Sequence, residues 1–158
     1  MINKANDGSG NNLERDEWQT PQWLFDKLNK QYSFTLDCCT NGKNNKCISW
    51  TSNFEMWVSA GINHTCWMNP PFSIAWKMFK HFFKVVKQGV CIYRCDNMET
   101  KIWQEVILPN ATWIFIPNKR IAYEGMEGKG SRFPSALIGL NIEEPKELQG
   151  VILRLKKN

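Results

Sequence analysis

The hydrophobic pattern changes period several times along the chain. Residues 1–15 are mostly Asn, Gly, Asp and other polar types, and they read as a flexible polar tail. Order is expected from Asp16-Glu17-Trp18-Gln19-Thr20-Pro21, where Thr20 suits a helix N-cap and Pro21 the first helical position. The helix that follows should bury Trp23, Leu24 and Leu28. Residues 33–39 read as a short buried strand, 40–45 as a polar loop and 46–50 as a second short strand. Residues 64–69 form a further strand that runs into Pro70-Pro71, where a central strand must stop. The clearest helical period spans residues 75–87. There Trp76, Phe79, Phe83 and Val86 form an apolar stripe, Lys77, Lys80, Lys84 and Lys87 occupy the adjoining face, and Gly89 supplies a stop. A strand at 90–95, a helix at 98–107 and a strand at 111–117 follow. A Gly-, Lys- and Arg-rich loop at 118–133 then leads to strands at 136–140 and 151–155. This alternation predicts one mostly parallel α/β sheet. No repeat or boundary divides it, so residues 16–158 read as a single domain.

Composition narrows the class. A chain of 158 residues with 42% hydrophobic residues can bury a core without staples. Mean hydropathy is −0.45, and no apolar run reaches the roughly 18 residues of a membrane span. The first residues lack the apolar core of a secretory signal, so a cytoplasmic location is expected. Six cysteines without a CxxC pair, beside only two histidines, read as buried free thiols rather than a metal site. The net charge of +5 is uneven: residues 1–76 carry 6 basic and 7 acidic side chains, residues 77–158 carry 14 and 8. A polyanionic partner would be drawn to the C-terminal half, although an ordinary solvated basic surface would have the same charge.

The residues with chemical content are Asn69-Pro70-Pro71-Phe72, at the carboxyl end of an apolar strand. Ligands of open α/β sheets bind there. A proline turn explains Pro70 and Pro71 but not the Asn before them or the aromatic after them. The four residues resemble a motif of amino-group methyltransferases, whose substrate, an exocyclic amino group, is a weak nucleophile because its lone pair is delocalised into the ring. The Asn69 side-chain oxygen and the Pro70 carbonyl can both accept hydrogen bonds from such a group and aim its lone pair. The two prolines fix φ, so the carbonyl is preorganised. Phe72 offers a ring on which a flipped base can stack.

This tetrapeptide resembles the Asn/Asp-Pro-Pro-Tyr/Phe motif of S-adenosylmethionine-dependent amino-group methyltransferases. A second resemblance narrows the family. Asp16 to Pro21, then Leu24-Phe25 and Leu36-Asp37, and late in the chain Ser131-Arg132-Phe133-Pro134-Ser135-Ala136-Leu137, are similar to segments of phage-type DNA N6-adenine methyltransferases. The resemblance runs from residue 16 to about residue 140. It implies a Rossmann-like class I methyltransferase fold with helices on both faces of the sheet. It also implies S-adenosylmethionine as cofactor, no metal, and double-stranded DNA as the partner of a monomer or small homo-oligomer. Asn69, Pro70, Pro71 and Phe72 would be the catalytic set. The cofactor would be met by Trp18, Thr20, Pro21, Asp37, Cys38, Asn53, Glu55 and Asn69.

The loop after the first strand lacks a Gly-x-Gly, which departs from the wider class. Asp37 reads equally as a cofactor ligand and as a loop-capping carboxylate. Asn53 and Glu55 fit the adenosine end of a cofactor or a plain polar turn. Thr20 and Pro21 satisfy the helix start as well as the site. Lys119, Arg120, Lys129 and Arg132, in a loop with Gly125, Gly128 and Gly130, are the candidate DNA contacts; a hairpin tip is the competing reading. Related enzymes that share the tetrapeptide act on cytosine N4 or a protein glutamine, and a module that binds DNA without turnover would keep the fold.

Overall fold

The computed structural model describes residues 16, 18–125 and 133–155. The expected tail at 1–15, Glu17, Lys129 and Arg132 lie outside the described residues. Helix α1 (Gln22–Tyr32) leads into two short strands, β1 (Leu36–Asp37) and β2 (Ser49–Trp50), and a 3-10 turn, Phe54–Met56. Strand β3 (Cys66–Met68), a 3-10 turn (Phe72–Ile74), α2 (Ala75–Val85) and β4 (Gly89–Arg94) follow. A π-helical segment, Ile102–Ile107, continues into α3 (Leu108–Asn110) and then β5 (Trp113–Pro117), β6 (Ser135–Leu140) and β7 (Gly150–Arg154).

The seven strands form one sheet in the order β2-β1-β3-β4-β6-β5-β7. Strands β1 to β5 run in one direction. Strand β6 lies between β4 and β5, antiparallel to both, and β7 pairs antiparallel with β5. Adjacent side chains of a strand point to opposite faces, and both faces are covered at the central strands β3, β4 and β6, while β2 and β7 at the two edges are exposed. Val90 and Ile92 of β4 pack with Leu24, Phe25 and Leu28 of α1. Cys91 and Tyr93 pack with Met78, Phe79 and Phe82 of α2 and with Trp103 of the π-helical segment. The result is a three-layer α/β arrangement, compatible with a methyltransferase fold.

Several local expectations shift. Thr20 does not cap α1. Pro21 is the N-cap residue, its carbonyl accepting from the N–H groups of Leu24 and Phe25 at 3.1 and 3.2 Å. The Gln22 N–H donates to Glu124 Oε1 at 3.0 Å, so a carboxylate from 102 residues away serves the helix start. Trp23 is 55% exposed, because the inward face of α1 is Leu24, Phe25, Leu28 and Tyr32. In α2 the buried face is Ala75, Met78, Phe79, Phe82 and Val85; of the expected stripe Phe79 and Val86 are buried and Phe83 is half-buried, while Trp76 falls outside it. Trp76 is 40% exposed, with the Lys80 ammonium 5.6 Å from its ring centroid. Gly89 is not the helix stop: Val86 already turns extended, and Gly89 begins β4 against the Cys66 carbonyl, where a Cβ would collide. The cysteines are free and buried or half-buried, as expected of small apolar residues, and burial pushes the Cys95 thiol up to about 11. Among the described residues no helix is long and apolar enough to cross a membrane.

Candidate functional site

The chain leaves β1 for β2 on one side and later returns to place β3 on the other. The β1/β3 junction is therefore the point where strand order reverses, and crevices at the carboxyl ends of such strands hold ligands. Asp37 ends β1, Asn69 directly follows β3, and a cavity of about 500 Å³ opens between them. That volume lies within the range of small-molecule sites. Trp18, Thr20, Asp37, Cys38, Glu55, Asn69 and Pro71 line it, together with polar residues of the loop after β1.

Asp37 is buried. Its Oδ1 accepts from the Cys39 N–H at 3.2 Å and its Oδ2 from the Lys46 N–H at 2.9 Å, so one carboxylate ties both ends of the 39–46 loop. Burial pushes the Asp37 carboxyl above its ordinary range, while the N–H donors of Lys46 and Cys39 pull the other way. The loop-capping role is thus visible, and the same residue faces the cavity.

Asn69 meets the segment before α1. Its Nδ2 donates to Thr20 Oγ1 at 3.1 Å and to the Trp18 carbonyl at 3.3 Å. That segment is anchored at several points. Gln19 and Glu124 exchange backbone hydrogen bonds at 3.0 and 2.9 Å. Asp16 accepts from the N–H and hydroxyl of Ser73, immediately after Phe72. The Pro-Pro turn closes on the Pro71 carbonyl, which accepts from the Ile74 N–H at 3.2 Å, and not on that of Pro70.

Phe72 does not line the cavity and sits in an aromatic group. Trp18, Tyr93 and Phe133 meet it edge-on at 6.2, 5.7 and 5.5 Å between centroids. Trp18 in turn stacks on Tyr123 and Phe133. The buried Arg94 guanidinium lies 4.7 Å from the Phe133 centroid and 5.9 Å from that of Phe72. It is paired with Asp96 through two hydrogen bonds of 2.8 and 2.7 Å, which hold the Asp96 carboxyl below its ordinary range.

Of the expected site residues, Pro21, Asn53, Pro70 and Phe72 do not line the cavity. Pro21 is buried in the helix start, and Asn53 is exposed, bonded to the Thr51 hydroxyl. Lys119 and Arg120 are exposed just after β5, whose carboxyl end lies on the same edge of the sheet as those of β1 and β3. Sequence reasoning missed Asp16, Lys43 and Lys46 on the cavity wall, and the Arg94–Asp96 pair. The run of Asn and Lys between Asn41 and Lys46, directly after β1, was the available signal for the loop. Arg94 gave none beyond being a charge inside an apolar strand.

A comparison with protein families finds that the DNA N-6-adenine-methyltransferase (Dam) model matches residues 9–138. No curated protein matches the chain.

Proposed function

The chain belongs to the DNA N-6-adenine-methyltransferase (Dam) family, and from that premise we propose that it transfers a methyl group from S-adenosylmethionine to N6 of adenine in duplex DNA. The observation that carries this reading is the position of Asn69-Pro70-Pro71-Phe72. The turn leaves the carboxyl end of β3, beside Asp37 of β1, and Asn69 and Pro71 wall a cavity of about 500 Å³. In this reading residues 16–158 are one Rossmann-like class I methyltransferase domain. The insertion of β6 antiparallel between β4 and β5 supports that assignment.

The cavity wall suits an elongated ligand with several polar groups. Asp37 and Glu55 offer acceptors to the adenosine end, and Trp18, Thr20 and Asn69 border the other end. Cys38 forms part of the floor, while Pro21 contributes by holding Thr20 in place. S-adenosylmethionine supplies an electrophilic methyl group. The protein's part is to prepare the nucleophile. Asn69 Oδ1 and the Pro70 carbonyl accept the two N–H bonds of the adenine amino group and direct its lone pair. Acceptors held where positive charge develops stabilise the transition state more than the ground state. Phe72 offers its ring to the flipped base, and Lys119, Arg120, Lys129 and Arg132 meet the phosphates.

The test is incubation of purified protein with methyl-labelled cofactor and either duplex DNA or protein extract, followed by hydrolysis and identification of the labelled base or amino acid. Label in N6-methyladenine is expected. Asn69→Ala should lower kcat by about 10²–10³, a larger loss than any weakening of cofactor affinity measured by calorimetry. Label in N4-methylcytosine or in protein glutamine, or DNA binding without transfer, would overturn the reading.

A further inference from the structure

The two ends of an asparagine amide are nearly identical in shape and opposite in hydrogen bonding. Only one orientation presents an oxygen to an amino group; the flipped one sets N–H against N–H. The Trp18 backbone carbonyl is 3.3 Å from Asn69 Nδ2 and has lone pairs but no proton. It can accept from NH₂ and cannot satisfy an oxygen. Thr20 Oγ1, on a side chain only 1% exposed, adds a second contact at 3.1 Å on the same nitrogen. We infer that Thr20 and the Trp18 carbonyl are a positioning device that turns the Asn69 amide so that its oxygen faces the substrate, and that this device makes asparagine rather than aspartate the fitting residue at position 69. The inference rests on the proposed role of Asn69.

Its consequence runs against simple charge reasoning. A carboxylate is the stronger acceptor, so Asn69→Asp should bind an amino group well. Here its second oxygen would meet the Trp18 carbonyl, acceptor against acceptor. Only the protonated acid could donate to that carbonyl and still offer a C=O to the substrate. The variant should therefore work as an acid and lose activity as pH rises. Other titratable groups around the cavity are Asp16 from the segment before α1, Asp37 at the end of β1, Glu55 from the 3-10 turn, and Lys43 and Lys46 from the intervening loop. The thiols of Cys38 and Cys39 also face it, held neutral by burial. All of these are common to parent and variant, so the ratio of the two pH profiles removes them.

Three measurements on the full chain test this. Thr20→Val keeps the shape of the side chain and removes the hydroxyl, and it should lower single-turnover methylation about fivefold to tenfold, the worth of one neutral hydrogen bond. Thr20→Ser should restore it. The side-chain NH₂ resonances of Asn69, read by NMR without DNA, should shift and exchange faster in Thr20→Val and return in Thr20→Ser. The activity of Asn69→Asp relative to the parent should fall as pH rises, in a range above the ordinary Asp value of about 3.9, because the ionised form sets acceptor against acceptor at the Trp18 carbonyl. Unchanged Asn69 resonances in a folded Thr20→Val protein overturn the inference. So does an unchanged rate, or a rising ratio for Asn69→Asp. A parent that methylates no DNA adenine defeats the proposed function instead, and the resonances still decide the amide orientation by themselves.

Discussion

Asp37 is an acid placed where its neutral form is favoured. Burial raises its folded-state pKa above the ordinary 3.8, with the N–H donors of Lys46 and Cys39 opposing. The native state then holds the proton more tightly than the unfolded chain. Its contribution to stability is fully present below 3.8 and declines as pH rises through the raised folded value. Urea unfolding of the parent and of Asp37→Asn across this range should show the parent's relative stability falling with pH. The opposite slope would mean that the two loop N–H bonds outweigh burial and hold the carboxylate ionised. The position of Asp37 at a strand end was legible in sequence, as was that of Asn69, because a buried strand interrupted by polar residues marks its own end. Thr20 was legible only as a polar residue before a proline. Its partner lies 49 positions away, and no local pattern distinguishes a capping hydroxyl from one that holds a distant amide.

At the level of elements, period was easier to read than phase. Helix α2 was visible from its apolar spacing, but its aromatic residues lie on more than one face, so two stripes fit the same letters. The sheet decides between them by covering Met78, Phe79 and Phe82 and leaving Trp76 to the Lys80 side chain. The strands were found in order, yet β1 and β2 form only two residues each, one on either side of the 39–46 loop that Asp37 holds. Close packing of β5 on β6 has no signature beyond one small residue. Gly139 lies under the Trp113 indole, whose Nε1 donates to the Ile142 carbonyl at 2.7 Å. A Cβ there would fall within the ring. Gly139→Ala should cost about 1–3 kcal/mol by overpacking, checked by chemical denaturation. Trp113→Phe in the same background should recover part of the loss, since the smaller ring makes room. A Gly139→Ala protein as stable as the parent would show that the indole can move aside.

For the whole molecule, strand direction sorts charge. Because β5 runs with β1, β3 and β4, the residues after its carboxyl end emerge on the edge that carries Asp37, Asn69 and the Arg94–Asp96 pair. Lys119 and Arg120 are there, and the positive charge of Arg120 helps hold the Asp96 carboxyl low. The loop they begin returns through Tyr123 and Phe133, which stack on Trp18, so basic residues and aromatic wall belong to one continuous piece of chain. The sequence showed the excess of positive charge in the C-terminal half; only the topology says that part of it shares an edge with the cavity. The lysine face of α2 is also exposed, but it lies on a covering helix and not in this loop. On the proposed function, a duplex that delivers its adenine to Asn69 lays its phosphates across this edge. Replacing Lys119, Arg120, Lys129 and Arg132 by neutral residues should therefore weaken DNA binding. It should also reduce the slope of log affinity against log salt by about one unit for each phosphate that is no longer neutralised. Fluorescence anisotropy over a salt series measures that slope. If the quadruple variant keeps the parent slope, the phosphates do not meet this loop. The duplex would then have to reach the cavity across the face of Lys77, Lys80, Lys84 and Lys87.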